Sequence, residues 1–381
     1  MIYLDHAATT PVHQEVLDEM YPLFTENFGN PSSLHQYGRK ARHLMDSARS
    51  YLATTINAFE HEIIMTSGGT ESNNLAVSGT AIANEHKGNH IITTSQEHHA
   101  ILHIMEFLIS RGFHVTYLPV DESGLIDIED LKRSLTNQTI LVSIMTANNE
   151  TGALQPIKEI GEVLKDHQAY FHTDAVQAYS MIDIDVKSYN IDLLTTSAHK
   201  LNGPKGIGFL YINKDVDIQP IHYGGEQERK KRPGTENVIG AVGFKKAAEI
   251  AQNNKVNNNN KYQLYKNIFL ETLKAKQVKF DINGDIDKSI ATILNISFPG
   301  MKTGTLLTAF DIEGIAVSSA SACTAGSVEP SHVLTAMYGQ RSERIHNSVR
   351  FSFGSMNTEK NVKEAAIKVS NVVSRLKRNE G

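Results

Sequence analysis

Lys200 closes the run Ser197-Ala198-His199-Lys200, just before Leu201-Asn202-Gly203-Pro204-Lys205-Gly206. A lysine on a tight loop of this kind can act as a covalent amine toward a carbonyl, although most loop lysines are simply solvated. Asp174 lies just beyond Tyr170-Phe171-His172. A carboxylate at a buried strand end needs a positive partner or a plainer role as a helix N-cap. Ser67-Gly68-Gly69-Thr70-Glu71 stands between a β-branched run and a helical one. Its glycines permit close approach of a ligand and its helix start offers free N–H groups to a phosphate, or it is only a capping turn. It lacks the lysine of a P-loop and the three-glycine spacing of a dinucleotide fold. With Lys200 for an aldehyde, Asp174 for a pyridinium nitrogen and the glycine-rich turn for a phosphate, the three handles of pyridoxal phosphate are present.

Glu97-His98-His99-Ala100 adds an imidazole able to lie on an aromatic cofactor and to exchange protons near neutrality. Because His98 and His99 are adjacent, only one is expected to face a site; either could equally be a surface histidine. The only cysteine, Cys323, lies within Ser318-Ser319-Ala320-Ser321-Ala322-Cys323-Thr324-Ala325-Gly326-Ser327. So few packing side chains predict a mobile stretch that presents a free thiol to solvent, with a tight packing seam as the alternative. One cysteine excludes an intramolecular disulfide and any CxxC metal site, so no metal is expected, and it fits a reducing cytosol.

These groups need elements to position them. From about residue 60 to 215, short apolar runs alternate with helix-period segments, the pattern of a mainly parallel sheet covered by helices. The runs are Glu62–Thr66, His90–Thr94, His114–Leu118, Thr139–Thr146, Tyr170–His172, Leu193–Thr196 and Gly208–Ile212. Ligands in such sheets sit at the carboxyl ends of the strands, and five of those ends carry the polar clusters at 67–74, 97–99, 148–150, 174–177 and 197–200. The helix expected over Asn73–Asn84 follows the first of them. A helical stretch over Val238–Gln252 then runs into an Asn-rich segment, 253–260, read as a solvated turn or linker. Beyond it, strands at Ala291–Ser297 and Ser348–Phe353 among helices predict a smaller α+β domain.

The chain has 381 residues, enough for two or three domains, and its 37 Lys+Arg against 42 Asp+Glu argue against direct binding of nucleic acid. No N-terminal stretch resembles a signal peptide and no apolar run approaches a membrane span, so a cytoplasmic protein without membrane association is expected.

Leu4-Asp5-His6-Ala7-Ala8-Thr9-Thr10, Phe28-Gly29-Asn30-Pro31-Ser32-Ser33, Thr66 to Asn74, Asn148-Asn149-Glu150-Thr151-Gly152, His172 to Gln177, Ser197 to Gly206, Arg232-Pro233-Gly234-Thr235 and Ser321-Ala322-Cys323-Thr324 resemble the pyridoxal-phosphate cysteine desulfurases of the NifS/IscS type, in the class-V aminotransferase superfamily. The resemblance runs through nearly the whole chain in the family's order. It implies an α/β fold of the aspartate-aminotransferase type (fold type I), with a mainly parallel seven-stranded sheet in a large domain of residues 14–254. Residues 1–13 and 255–381 would form the smaller domain that carries Cys323. It also implies a homodimer with its sites at the interface.

By position, Lys200 would hold the cofactor's aldehyde, His98 would stack on its ring, Asp174 would pair with the pyridinium nitrogen, and Asn149 and Gln177 would lie near the phenolate. Gly69, Thr70, Ser197 and His199 would hold the phosphate, joined by Thr235 of the other subunit. Asn30 and Arg350 would bind the carboxylate of L-cysteine. The family's chemistry yields alanine and a persulfide on Cys323, which goes to an acceptor such as an iron–sulfur scaffold or a tRNA 2-thiolase. Two departures, Ala198 for Gly and Ala336-Met337-Tyr338-Gly339 for a commoner Ala-Leu-Gly, touch no such role. A selenocysteine lyase, another fold type I enzyme or a non-catalytic sulfur-transfer scaffold would share many of these residues. The segment Gly224 to Arg232 resembles that of members serving tRNA thiolation, while its Arg229 to Arg232 cluster could steer an acidic partner or be a solvated loop.

Overall fold

The computed structural model describes residues 1–319 and 330–379. Cys323 and the residues around it, 320–329, lie outside the described residues.

The strands are β1 (Ile2–Tyr3), β2 (Ile63–Thr66), β3 (His90–Thr94), β4 (His114–Leu118), β5 (Thr139–Ser143), β6 (Tyr170–Asp174), β7 (Leu193–Thr195), β8 (Gly208–Ile212), β9 (Asp281–Ile282), β10 (Ile293–Ser297), β11 (Ile315–Ala316) and β12 (Ser348–Ser352). A seven-stranded sheet runs in the order β2-β8-β7-β6-β5-β3-β4. Every neighbouring pair is parallel except those of β8, which is antiparallel to both β2 and β7. Strands covered on both faces read as continuous apolar runs, and β5 and β8 are buried throughout. Side chains alternate between the two faces. Ile63 and Met65 pack with the helices Gln36–Thr54 and Val238–Asn253, while Ile64 packs with the helix His99–Ser110 on the other side.

A second apolar core forms around the antiparallel sheet β12-β10-β9. It is closed by the helices Lys255–Ala275, Thr303–Ile312 and Glu359–Asn379. The N-terminal strap links the two cores. Ile2 and Leu4 pack in the second, β1 pairs in parallel with β11, and Ala7 reaches the first. The cavity described below lies between the cores, where the strap crosses.

The sequence expectations hold for the sheet and shift at particular ends. β5 stops at Ser143 rather than Thr146, yet the N–H groups of Ile144 and Thr146 still bond the β6 carbonyls of His172 and Asp174. Helix begins at Gly69, before Asn73, and passes through a π-helical turn at Leu75–Gly79 to end at Ala83. The Asn-rich linker is corrected: only Asn254 breaks the path, and Lys255–Ala275 is one helix. Its face of Tyr262, Tyr265, Phe269, Leu270 and Leu273 is buried in the second core. That packing outweighs the poor intrinsic helicity of four successive asparagines. Among the described residues no helix is long and apolar enough to cross a membrane, and no cluster of three or more His, Cys, Asp or Glu side chains could hold a metal.

Lys266, on the same helix, is fully buried, and its ammonium donates to Ser289 Oγ (3.1 Å) and Ile290 O (2.7 Å). Burial pushes it down to about 8 from the usual 10.5. The unfolded chain therefore holds the extra proton between those values, so stability rises with pH across that window. Chemical denaturation at pH 8 and pH 10 should show a gain of about 1–3 kcal/mol from this group. Lys266→Met should lack that gain; an identical slope in both proteins would refute the assignment.

Candidate active site

The carboxyl ends of β2, β3, β5, β6 and β7 converge on a cavity of ≈ 550 Å³. Gly69, Thr70, His98, Asn149, Asp174, Gln177, Ser197, His199, Lys200 and Arg350 line it, together with Ala7, Ala8, Asn73, Ser318 and Ser319. Ten of the residues singled out from sequence are thus brought together. Asn30 and Thr235 do not line this cavity and are exposed on the surface.

Lys200 ends a short 3-10 turn, Ala198–Lys200. Its Nζ donates to Ala7 O (2.5 Å) and Ala8 O (2.8 Å) of the N-terminal strap, and Gln177 Nε2 also donates to Ala7 O (3.0 Å). Burial, with Arg350 nearby, pushes the ammonium down to about 8, against the pull of Asp5 and Asp174. Carbonyl oxygens orient the amine without giving it a counter-charge, so the group sits close to its neutral, nucleophilic form.

Asp174 ends β6 and is 6% exposed. Among the described residues its hydrogen bonds come from neutral donors, Asn73 Nδ2 at 2.7 Å and Val176 N–H at 2.9 Å. A buried carboxylate so placed, at the wall of a cavity, suits a cationic ring nitrogen. His98 caps the helix His99–Ser110 through Nδ1, which accepts from Ala100 N–H at 3.1 Å. In the neutral ring the proton is then on Nε2. Burial holds this imidazole below its ordinary value; Lys200, His99 and His103 act the same way and Asp174 opposes them. Beside it Glu97 is completely buried, with Oε1 accepting from Met145 N–H and Thr94 Oγ1, both at 2.9 Å. Burial pushes that carboxyl up to about 8, so near neutrality it is a protonated brace between the ends of β3 and β5.

Gly68 has φ 143° and ψ −171°, a region open in practice to glycine alone. A Cβ on Gly69 would come within 2.9 Å of Val176 Cγ2. Glu71 holds this turn by accepting from Ser67 N–H (2.7 Å), and Arg232 Nε donates to its other oxygen (2.8 Å). Thr70, Ser197 and His199 border the same end of the cavity. Arg350 reaches in from β12, with Nη2 on Asp5 Oδ1 (2.9 Å) and Nη1 on Asn149 O (2.8 Å), while its buried Nε has no partner among the described residues. A bare turn for a phosphate, an amine for an aldehyde, a carboxylate for a ring nitrogen and a guanidinium for a carboxylate fit pyridoxal phosphate with an amino acid.

Sequence reasoning passed over Asn73, Glu97, Glu150 and the carbonyls of Ala7 and Ala8. Glu97 and Glu150 stood inside quoted motifs, but only the fold reveals that they are buried. Asn73 lies four residues after Gly69, and so on the same helix face as the turn, which is the one local signal that could have singled it out.

Reductive alkylation with an aldehyde tests the state of Lys200. Its rate at this residue, followed by peptide mass analysis, should climb with pH and level off above about 8, while solvated lysines keep gaining toward about 10.4. A Lys200 profile like that of the surface lysines would contradict the burial argument.

A family model described as Aminotransferase class-V matches residues 2–364. A protein of Bacillus subtilis (strain 168) named "Putative cysteine desulfurase IscS 1" is 55% identical over 375 residues, covering 98% of this chain and 99% of its own. "Cysteine desulfurase IscS" of Clostridium botulinum strain Hall is 49% identical over 363 residues, 95% of this chain and 91% of its own. Among solved structures, one titled a NifS-like protein superposes with a TM-score of 0.91 at 36% identity, covering 98% of this chain and 99% of that one. With this fold and this arrangement of lysine, aspartate and glycine turn, the chain belongs to the class-V aminotransferase family.

Proposed function

We propose that the protein is a pyridoxal-phosphate-dependent cysteine desulfurase that turns L-cysteine into L-alanine and leaves the sulfur as a persulfide on Cys323. The observation that carries the reading is the convergence of Lys200, Asp174, the Gly68-Gly69 turn and Arg350 on one cavity whose wall includes Ser319. Cys323 follows Ser319 four residues later in the sequence, and four extended residues span at most about 14 Å. Bound there, pyridoxal phosphate supplies an electron sink conjugated to the carbons of the amino acid.

The chain's own groups do the rest. Gly69, Thr70, Ser197 and His199 hold the phosphate, Asp174 holds the ring nitrogen in its protonated form, and Gln177 and Asn149 flank the phenolate. Arg350 binds the substrate carboxylate; Asn30, outside this protomer's cavity, is assigned to it by the family resemblance alone. Lys200, with its lowered proton affinity, would hold the cofactor's aldehyde and would move a proton at the substrate Cα, with His98 as the second acid–base group. The Cys323 thiolate attacks the substrate sulfur. An S–S bond forms, the C–S bond breaks with its electron pair left on carbon, and that carbon takes a proton to finish as alanine.

The working unit on this reading is a cytoplasmic homodimer. Tyr21, Phe24, Phe28 and Leu34 are 80%, 62%, 68% and 91% exposed, large apolar side chains close together in sequence that a second subunit would cover. Asn30 lies within this stretch, and Thr235, outside its own cavity, serves the partner's phosphate site. The large unit comprises residues 14–254, and residues 1–13 and 255–381 form the small one. The acceptor of the sulfur is a protein, either an iron–sulfur scaffold or a tRNA 2-thiolase.

Cys323→Ser in the holoenzyme should lower alanine release from L-cysteine by about 100-fold or more while the cofactor absorbance stays intact. Unchanged turnover of cysteine overturns the mechanism, and activity retained on selenocysteine alone identifies a selenocysteine lyase. Sedimentation should give about twice the 42.1 kDa chain mass; a stable, active monomer refutes the dimer.

A further inference from the structure

The turn after β5 grips the chain on both sides of Cys323. Asn148 shapes this turn by accepting from the N–H groups of Glu150 (2.8 Å) and Thr151 (3.0 Å). The next carbonyl, Asn149 O, accepts from Arg350 Nη1 at 2.8 Å. Arg350 in turn is bridged to Ser318 through the backbone, its N–H donating to Ser318 O at 2.9 Å. One residue further, the Glu150 carboxyl, 1% exposed, accepts from the Ser331 hydroxyl. Ser331 also caps the helix His332–Tyr338, accepting from Leu334 N–H at 3.0 Å. Adjacent residues of one turn therefore fix Ser318 and Ser331, which precede and follow Cys323 in the sequence.

Burying a carboxyl costs free energy unless it is well paired, and none of the cofactor or substrate contacts assigned above uses Glu150. Its chemistry is directed at the far anchor. A tethered thiol has an effective concentration set by where both of its ends are held, and releasing one end dilutes it. We propose that Glu150 is a positioning residue for sulfur transfer: through Ser331 it holds the second anchor of the Cys323 segment, while the first, Ser318, is held at the cavity wall. This rests on the reading in which Cys323 receives the sulfur.

The holoenzyme and its Glu150→Ala, Glu150→Gln and Ser331→Ala variants separate this role from a merely structural one. Three measurements are needed: the single-turnover rate of persulfide formation on Cys323, the affinity for L-cysteine from the cofactor's absorbance change, and the line shape of a nitroxide on Cys323. Glu150→Ala should slow persulfide formation about 10-fold, leave the cysteine affinity within about twofold and loosen the nitroxide. Ser331→Ala should do the same, the double variant should be no worse than either single one, and Glu150→Gln, which keeps a hydrogen-bonding group, should recover most of the rate. Should Glu150→Ala fail to fold, Ser331→Ala carries the same test. An unchanged rate in folded variants, a parallel loss of cysteine affinity, or additive effects in the double variant would overturn the proposal. A wild-type protein that never forms a persulfide on Cys323 sinks the desulfurase reading instead. The nitroxide comparison still decides whether Glu150 positions the segment.

Discussion

The architecture depends on keeping two opposite charges in one cavity without letting them pair. Asp174 is occupied by Asn73 and the Val176 N–H, and Lys200 is turned onto the carbonyls of Ala7 and Ala8. A direct lysine–aspartate pair would satisfy both groups, and it would also remove the amine and the carboxylate from chemistry. The separation requires a backbone segment to come back across the sheet and present two carbonyls to the lysine. That segment is the N-terminal strap, which can do so only because Ile2 and Leu4 anchor it in one core and Ala7 in the other. The division into two cores is thereby coupled to the state of one side chain.

A second constraint holds the glycine turn. Glu228, Arg229 and Lys230 have φ of 46°, 56° and 63°, three successive non-glycine residues in the left-handed region at about 1–2 kcal/mol each. The strain is offset by a buried bidentate pair, Arg49 Nη1 and Nη2 on Glu228 Oε2 and Oε1 at 2.7 and 2.6 Å. Arg49 also donates to Ile63 O (2.6 Å), and Met65 N–H donates to Glu228 (2.9 Å). The segment is therefore locked onto the start of β2, and Arg232 leaves it in position to brace Glu71. Of the four positive charges from Arg229 to Arg232, Lys231 and Arg232 are half-buried, Arg232 pairs with Glu71 and Lys230 with Glu226, so the stretch is largely engaged by structure rather than standing as a free basic patch.

The sheet and most of the cavity wall were legible in the sequence because each depends on local patterning. A parallel sheet writes its strands as short apolar runs and puts its ligand at their ends, so Asp174, His98 and Lys200 could be read as strand-end residues. What escaped depends on long-range packing. Nothing local to Asn257–Asn260 says that Tyr262, Tyr265 and Phe269 will find a core and carry the asparagines along as helix. Arg49 and Glu228 are 179 residues apart, and their pairing has no periodicity to betray it. Asn30 and Thr235 came from resemblance alone, and a single protomer places neither in its own cavity.

Burial pushes several ionisable groups in and behind the cavity wall in the same direction, toward the uncharged form. Glu97 and Glu150 are raised to about 8, Lys200 is lowered to about 8, and His199 is lowered to about 4. A cavity lined with fixed charges would bind an amino acid by many strong contacts and hold it in its ground state. Here the buried carboxyls of Glu97 and Glu150 brace the walls as acceptors, and the charged groups that line the cavity are few: Asp174 at one wall and the Asp5-anchored guanidinium of Arg350 at another. With orientation assigned to those two, Lys200 is free to change its proton without disturbing the frame. A group that must alternate between holding and releasing needs such surroundings, because every charge removed from its neighbourhood lowers the cost of changing its own.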